Sequence, residues 1–224
     1  MPAGIARDQL RELNRHGAQL VEVLPAEEYQ WAHLPGAVNV PLAELGSGTV
    51  PLDRSRPVIV YCNDTLCDLS PRAACRLEAT GFGPVYDYTA GKTDWLAADL
   101  PYEGTAELTG RFVRRDVVSA GETTPAAQVR DQVAAQGFGP AVVVNAAGVV
   151  MGAAHRDSLA AAADGTPVGQ VMRFGVGTVR PSEDAAALAH RLGHADLSRI
   201  IVTRSDGTLV GMFFTSDAPA ETDG

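Results

Sequence analysis

Cys62 ends the apolar run Pro57-Val58-Ile59-Val60-Tyr61, whose β-branched content predicts a buried strand. Ser70 and Pro71 follow, and then the apolar-periodic stretch Ala73-Ala74-Cys75-Arg76-Leu77. Ser at an N-cap with Pro at the first helical position marks a helix start. A thiol between a strand end and a helix N-terminus faces backbone N–H groups and the positive end of the helix. That setting predicts a lowered thiol pKa and a nucleophilic thiolate at Cys62. The intervening loop is Asn63, Asp64, Thr65, Leu66, Cys67, Asp68 and Leu69. Asp64 and Asp68 act the other way, raising the thiol pKa by like-charge repulsion and repelling an anionic donor. The loop holds no basic residue, so Arg72 in the first helical turn is the candidate anion contact. Cys67 is a candidate resolving thiol, and Cys75 is expected in the core. A Cys-x4-Cys pair with no second pair is not a zinc site, so no metal is expected.

The flanking residues carry a family resemblance. In order, they are Leu20-Val21-Glu22-Val23, Glu27-Glu28-Tyr29, and His33-Leu34-Pro35-Gly36-Ala37-Val38-Asn39-Val40-Pro41. Val60-Tyr61-Cys62, Ala73-Ala74, Leu77 and Gly81-Phe82 come next, and then Gly91, Trp95 and Leu100-Pro101. Together these resemble the rhodanese family over residues 5 to 105 or so. The resemblance implies a three-layer α/β domain with a parallel sheet, here residues 1–104. It also implies sulfurtransferase activity. Cys62 would take a sulfane sulfur from a small-molecule donor such as thiosulfate and pass the persulfide sulfur to a thiol acceptor, with no cofactor required. His33, in the "HLPG" turn, is expected to make a structural hydrogen bond.

The departures from the family are specific. The loop after Cys62 is long and acidic, Leu24 stands where the family has Arg, and Ala90 replaces a Gly. These make thiosulfate less assured as donor than sulfur transfer is as chemistry. The arginine that closes the phosphate loop of related phosphatases is missing. Two alternatives stand beside the enzyme: an inactive rhodanese-like binding or regulatory module, and a thiol redox sensor using Cys62 and Cys67.

The second half repeats itself. Val142-Val143-Val144 through Gly152 reads as strand, turn, strand, and so does Ile201-Val202-Thr203 through Gly211. Gly148 and Gly207 lie 59 residues apart, as do Gly152 and Gly211. The first glycine of each pair supplies the turn residue that tolerates positive φ. An amphipathic helix precedes each hairpin, opened by Thr124-Pro125 and by Pro181-Ser182-Glu183-Asp184. A period this long with one hairpin per unit means a paired module.

With Pro167-Val168-Gly169-Gln170-Val171-Met172 and Thr178-Val179-Arg180-Pro181, these hairpins resemble a tandem pair of CBS domains. The resemblance places the pair at 111–224, with repeats near 111–163 and 165–220, each a β-α-β-β-α unit. It implies two clefts that often take an adenine nucleotide (AMP, ATP or S-adenosylmethionine), and a homodimer; the alternative is a module that only dimerises the chain. It also implies a hydroxyl residue three after the hairpin glycine and an Asp six after it. The second repeat has Phe214 and Asp217 there, with Thr215 alongside; the first has His155 and Ser158, with Asp157 one residue early. The nucleotide candidates are therefore Asp217, Thr215 and Thr178, and at most one cleft is equipped to hold a ribose. Arg156, Arg173 and Arg180 are candidate phosphate partners.

At 224 residues the chain has room for two domains, joined by a linker over Leu100–Gly110. Residues 1–108 carry a net charge of −7 and residues 109–224 a net of −2. Neither half has the basic face that nucleic acid needs, and the negative first half should repel anionic membranes. No 18-residue apolar run and no signal peptide are apparent. Three cysteines suit a reducing cytosol, so a cytoplasmic protein is expected.

Overall fold

The computed structural model describes residues 2–46 and 50–219. Residues 1, 47–49 and 220–224 fall inside the expected domain limits but lie outside the described residues. The chain divides into two units, one up to Ala106 and one from Glu107 onward.

In the first unit the strands are β1 (Ala3–Gly4), β2 (Gln19–Glu22), β3 (Val38–Asn39), β4 (Val58–Tyr61) and β5 (Val85–Tyr88). They form one sheet in the order β1-β5-β4-β2-β3, and every neighbouring pair is parallel. The helices are α1 (Arg7–Arg15), α2 (Ala26–Trp31), α3 (Leu69–Ala79) and α4 (Gly91–Ala97). A parallel sheet must be covered on both faces, which is why β4 is apolar throughout. Its side chains alternate. Val58 and Val60 pack with Ala73, Ala74 and Leu77 of α3. Ile59 and Tyr61 pack with Leu10 of α1 and Trp95 of α4. The result is the expected three-layer domain, and Cys62 continues the alternation onto the α3 side.

Helix α3 departs from the sequence reading in two ways. Its N-cap is Asp68, not Ser70, because the helical ladder already starts with the Arg72 N–H donating to the Asp68 carbonyl at 3.4 Å. Ser70 and Pro71 both lie inside the first turn, where a missing proline N–H costs nothing. Cys75 is exposed, not in the core. The helix buries Ser70, Ala73, Ala74 and Leu77, and the 3.6-residue period turns Cys75 to the opposite side.

In the second unit the first repeat is β6 (Ser119–Gly121), α5 (Ala126–Gln136), β7 (Ala141–Val144), β8 (Val150–Ala154) and α6 (Arg156–Ala161). The second is β9 (Thr178–Val179), α7 (Ala185–His194), β10 (Arg199–Thr203) and β11 (Leu209–Phe214). Each repeat has a three-stranded sheet with one parallel pair and one hairpin. The hairpin turns use Gly148 and Gly207 at φ of 80° and 83°. The second repeat lacks the closing helix among the described residues. A 3₁₀ turn, Thr215–Asp217, stands there, and Ala218 is extended before Pro219, as the residue before a proline prefers.

A pseudo-twofold relates the repeats. Val149 bridges Thr208 on its axis, and each hairpin turn donates an N–H to the other. The segment entering each repeat pairs with the other repeat's hairpin: Arg114 bridges Met212, and Arg173 bridges Ala153. This crossing explains Gly152 and Gly211. A Cβ on either would stand 2.4 or 2.2 Å from the carbonyl oxygen of Arg173 or Arg114. No helix among the described residues is long and apolar enough to cross a membrane.

Candidate active site and ligand cleft

Cys62 stands at the C-terminal end of the central strand, where open parallel sheets present their ligands. Two elements fix it. The first turn of α4 grips its backbone: Lys92 N–H donates to the Cys62 carbonyl at 3.1 Å and Thr93 N–H to the Asn63 carbonyl at 2.9 Å. Gly91 permits this approach. It has φ of +60°, and a Cβ there would meet the Cys62 oxygen at 2.6 Å. The first turn of α3 supplies Ser70, whose Oγ is 3.4 Å from Cys62 Sγ.

The thiol is fully buried and surrounded by acceptors. Its Sγ lies 3.5 Å from the Cys67 carbonyl oxygen and 3.9 Å from that of Asp64. Burial pushes the Cys62 thiol up to about 12, the contact with Cys67 adds to the rise, and the Ser70 hydroxyl and N–H oppose it. The expected lowered pKa is therefore corrected. In this conformation the loss of solvent outweighs the helix N-terminus. The two acidic residues are not the cause. Asp64 turns its Oδ1 to the Leu66 N–H at 2.9 Å, and exposed Asp68 pairs with Arg72 at 3.4 Å.

The other loop residues are now placed. Asn63 reaches Asp64 Oδ2 at 3.4 Å, Thr65 is exposed, and Leu66 is 85% exposed at the loop. Cys67 is half-buried and packs against the cluster that holds Cys62. Arg72 lies in the exposed Asp68 pair and lines a groove with Leu42, Pro71, Cys75 and Arg76. His33 makes a structural bond, Nδ1 to the Tyr29 carbonyl at 2.7 Å, and its ring stacks on Tyr29.

Sequence reasoning missed a buried ion pair beside the site. Lys92 Nζ is 2.8 Å from Glu22 Oε1, with side-chain exposures of 3% and 0%. The ammonium also donates to the Glu28 and Ala32 carbonyls. Burial pushes the Glu22 carboxyl up, and Lys92 pulls it back. The signal was Lys92 itself, the only lysine in the sequence.

In the second unit a cleft opens beside the first hairpin. One part, of about 330 Å³, is largely apolar and lined by Ala153, Val176, Ile200, Ile201 and Met212, among others. An adjoining part of about 450 Å³ is polar, lined by His155, Arg156, Asp157 and Arg199 along with Gly137–Pro140. The sequence reading named His155, Arg156 and Asp157 but missed Arg199. The three nucleotide candidates stand elsewhere. Asp217 is held by Arg114 through bonds of 2.6 and 2.7 Å. Thr215 bonds the Ser198 carbonyl, and exposed Thr178 accepts from Arg180 at 3.4 Å.

Comparison with known proteins agrees with this architecture. A family model for the rhodanese-like domain matches residues 6–98, and one for the CBS domain matches residues 168–218. The chain is 35% identical over 99 residues to the HTH-type transcriptional regulator Rv0324 of Mycobacterium tuberculosis, covering 44% of this chain and 43% of that protein. It is 30% identical over 93 residues to the thiosulfate sulfurtransferase GlpE of Pseudomonas savastanoi pv. phaseolicola, covering 42% of this chain and 86% of that protein. A solved structure of a putative acetoin utilization protein (AcuB) from Vibrio cholerae aligns with a TM-score of 0.47 at 20% identity, covering 50% of this chain and 87% of that one. The chain spans 43% and 60% of the length of the first two curated relatives it matches. The chain belongs to the rhodanese-like family, and a CBS domain follows its rhodanese-like domain.

Proposed function

We propose that the first unit is a sulfurtransferase that carries sulfane sulfur on Cys62, and that the second is its ligand-binding and dimerising module. The observation that carries the reading is the position of Cys62 Sγ at the end of the central parallel strand, 3.4 Å from Ser70 Oγ at the start of α3. In the first step the Cys62 thiolate attacks the outer sulfur of a small donor such as thiosulfate. The donor's S–S bond breaks, and sulfite leaves with the bonding pair. In the second step an acceptor thiolate attacks the outer persulfide sulfur, and Cys62 leaves as thiolate. Both steps need the sulfur uncovered, so the 63–68 loop must lift from its buried position. The Ser70 hydroxyl and N–H then remain to stabilise the anion.

We assign the rhodanese-like domain to 1–104 and the CBS pair to 111–224. The His155 cleft suits an adenine nucleotide such as AMP: an apolar slot for the base opens onto Arg156 and Arg199 for phosphate. We also assign a homodimer, as in the CBS pairs the second unit resembles, and a cytoplasmic location, which the three free thiols suit.

The test is intact mass after incubation with thiosulfate, 3-mercaptopyruvate or glutathione persulfide. Wild type should gain the mass of one sulfur, about 32 Da, and Cys62→Ser should not. No gain with any donor would leave the domain an idle docking module. A redox reading is supported by the closeness of the two residues: the Cys62 sulfur lies 3.5 Å from the Cys67 carbonyl oxygen, and the Cys67 side chain contributes to the rise of the Cys62 thiol.

A further inference from the structure

The two clefts of the second unit are related by the 59-residue offset between the repeats, and they are not alike. His155 in one stands where Phe214 stands in the other; Leu197 corresponds to Phe138, Arg173 to Arg114, and Ser158 to Asp217. On the His155 side a cleft is open, with His155 and Leu197 in its lining. On the other side the rings of Phe138 and Phe214 meet edge to face, 5.6 Å between centroids. The Arg114 guanidinium lies over both rings, 5.1 Å from Phe138 and 4.6 Å from Phe214. It closes on Asp217 with Nε and Nη2, one to each carboxylate oxygen, and Ser216 adds a third bond to Oδ1 at 3.1 Å. A planar cation stacked on aromatic rings and tied to a bidentate carboxylate is held in place, although 39% of the Arg114 side chain stays exposed.

The backbone holds it as well. Arg114 and Met212 exchange N–H to C=O bonds of 2.9 and 3.0 Å, so the side chain leaves the main chain at the cleft itself. Asp217 is the carboxylate that a ribose would need, and both of its oxygens are taken.

We infer that Arg114 is a built-in occupant of the Asp217 cleft, with Phe138 and Phe214 as its packing, so that each chain offers one ligand site, the His155 cleft. The inference rests on the nucleotide-binding reading above for the class of ligand. It makes Arg114 the residue that sets binding stoichiometry.

The test is calorimetric titration of the full chain with AMP. Arg114→Ala/Phe138→Leu/Phe214→His removes the guanidinium and puts at 138 and 214 the residue types of Leu197 and His155; Arg114→Ala/Phe214→His is run beside it, because Phe138 also borders the His155 cleft. Wild type should bind one AMP per chain and the triple variant two. Wild type that binds two, or a triple variant that binds no more than wild type, overturns the inference. Wild type that binds none beside a variant that binds one overturns the His155 site and keeps only Arg114 as the occupant of the Asp217 cleft. Arg199→Glu should abolish wild-type binding; if it leaves the affinity unchanged, the single ligand is in the wrong cleft and the inference falls. If circular dichroism finds the triple variant unfolded, Arg114→Ala alone is read in the same way, with the second AMP expected at lower affinity.

Discussion

Cys62 Sγ and Ser70 Oγ stand 3.4 Å apart, and the hydroxyl is one of the groups that oppose the upward push on the thiol. At a value of about 12, on the order of one Cys62 in a hundred thousand is thiolate at pH 7. Iodoacetamide should therefore label exposed Cys75 first and Cys62 last. The Cys62 rate should climb about tenfold per pH unit up to pH 10, and Ser70→Ala should slow it further. Because the folded value lies above the ordinary 9.0, this thiol's contribution to stability is complete below pH 9 and is lost as pH rises towards 12.

Once sulfur is loaded, the neighbour of Cys62 should matter. A Cys67 thiolate that attacks the inner sulfur of a Cys62 persulfide forms the Cys62–Cys67 disulfide and expels hydrosulfide. Cys67→Ser should keep the added sulfur longer than wild type in a time course of intact mass. Peroxide should remove two hydrogens from wild type and not from this variant. Equal lifetimes and equal masses would remove Cys67 from the chemistry.

Gly91→Ala should damage both fold and site. The new Cβ would meet the Cys62 oxygen at 2.6 Å and the Asn63 carbonyl at 2.7 Å, at a φ of +60°. We expect a loss of about 2 kcal/mol or more in urea unfolding. Cys62 should alkylate faster, because the grip on its carbonyl is what keeps it under the loop.

The Glu22–Lys92 pair should be asymmetric under mutation. Glu22→Gln strands a buried ammonium and should cost about 3–5 kcal/mol. Lys92→Met leaves a carboxyl already pushed up by burial, which can take a proton instead. A folded pKa above the unfolded one gives stability at low pH that is lost as pH rises. Lys92→Met should therefore lose less at pH 5 than at pH 7.5, as measured by urea melts at both.

The strand that ends at Cys62 was legible because its residues are apolar on both faces, and the repeat because glycines recur at one spacing. The position of Cys75 was misread: it was expected in the core, but Ser70, Ala73, Ala74 and Leu77 form the buried face of α3, and Cys75 lies off it and is exposed. What the sequence could not show was set by distant partners. Arg114 reaches Asp217 across 103 residues, and Lys92 reaches Glu22 across 70. The thiol pKa failed for a related reason. A helix end can be read locally, but the burial that overrides it depends on how the loop folds back.

Lys92, alone among the side chains of this protein, carries an aliphatic amine, and that amine is sealed beside Glu22. The 17 basic residues that remain are all arginines, which resist acylation at neutral pH because the guanidinium stays protonated. The folded surface thus offers acyl donors no side-chain amine. Acetylation of Lys92 or its capture by a succinimidyl ester would report that the domain around Cys62 had opened, so the residue is a native covalent probe of unfolding.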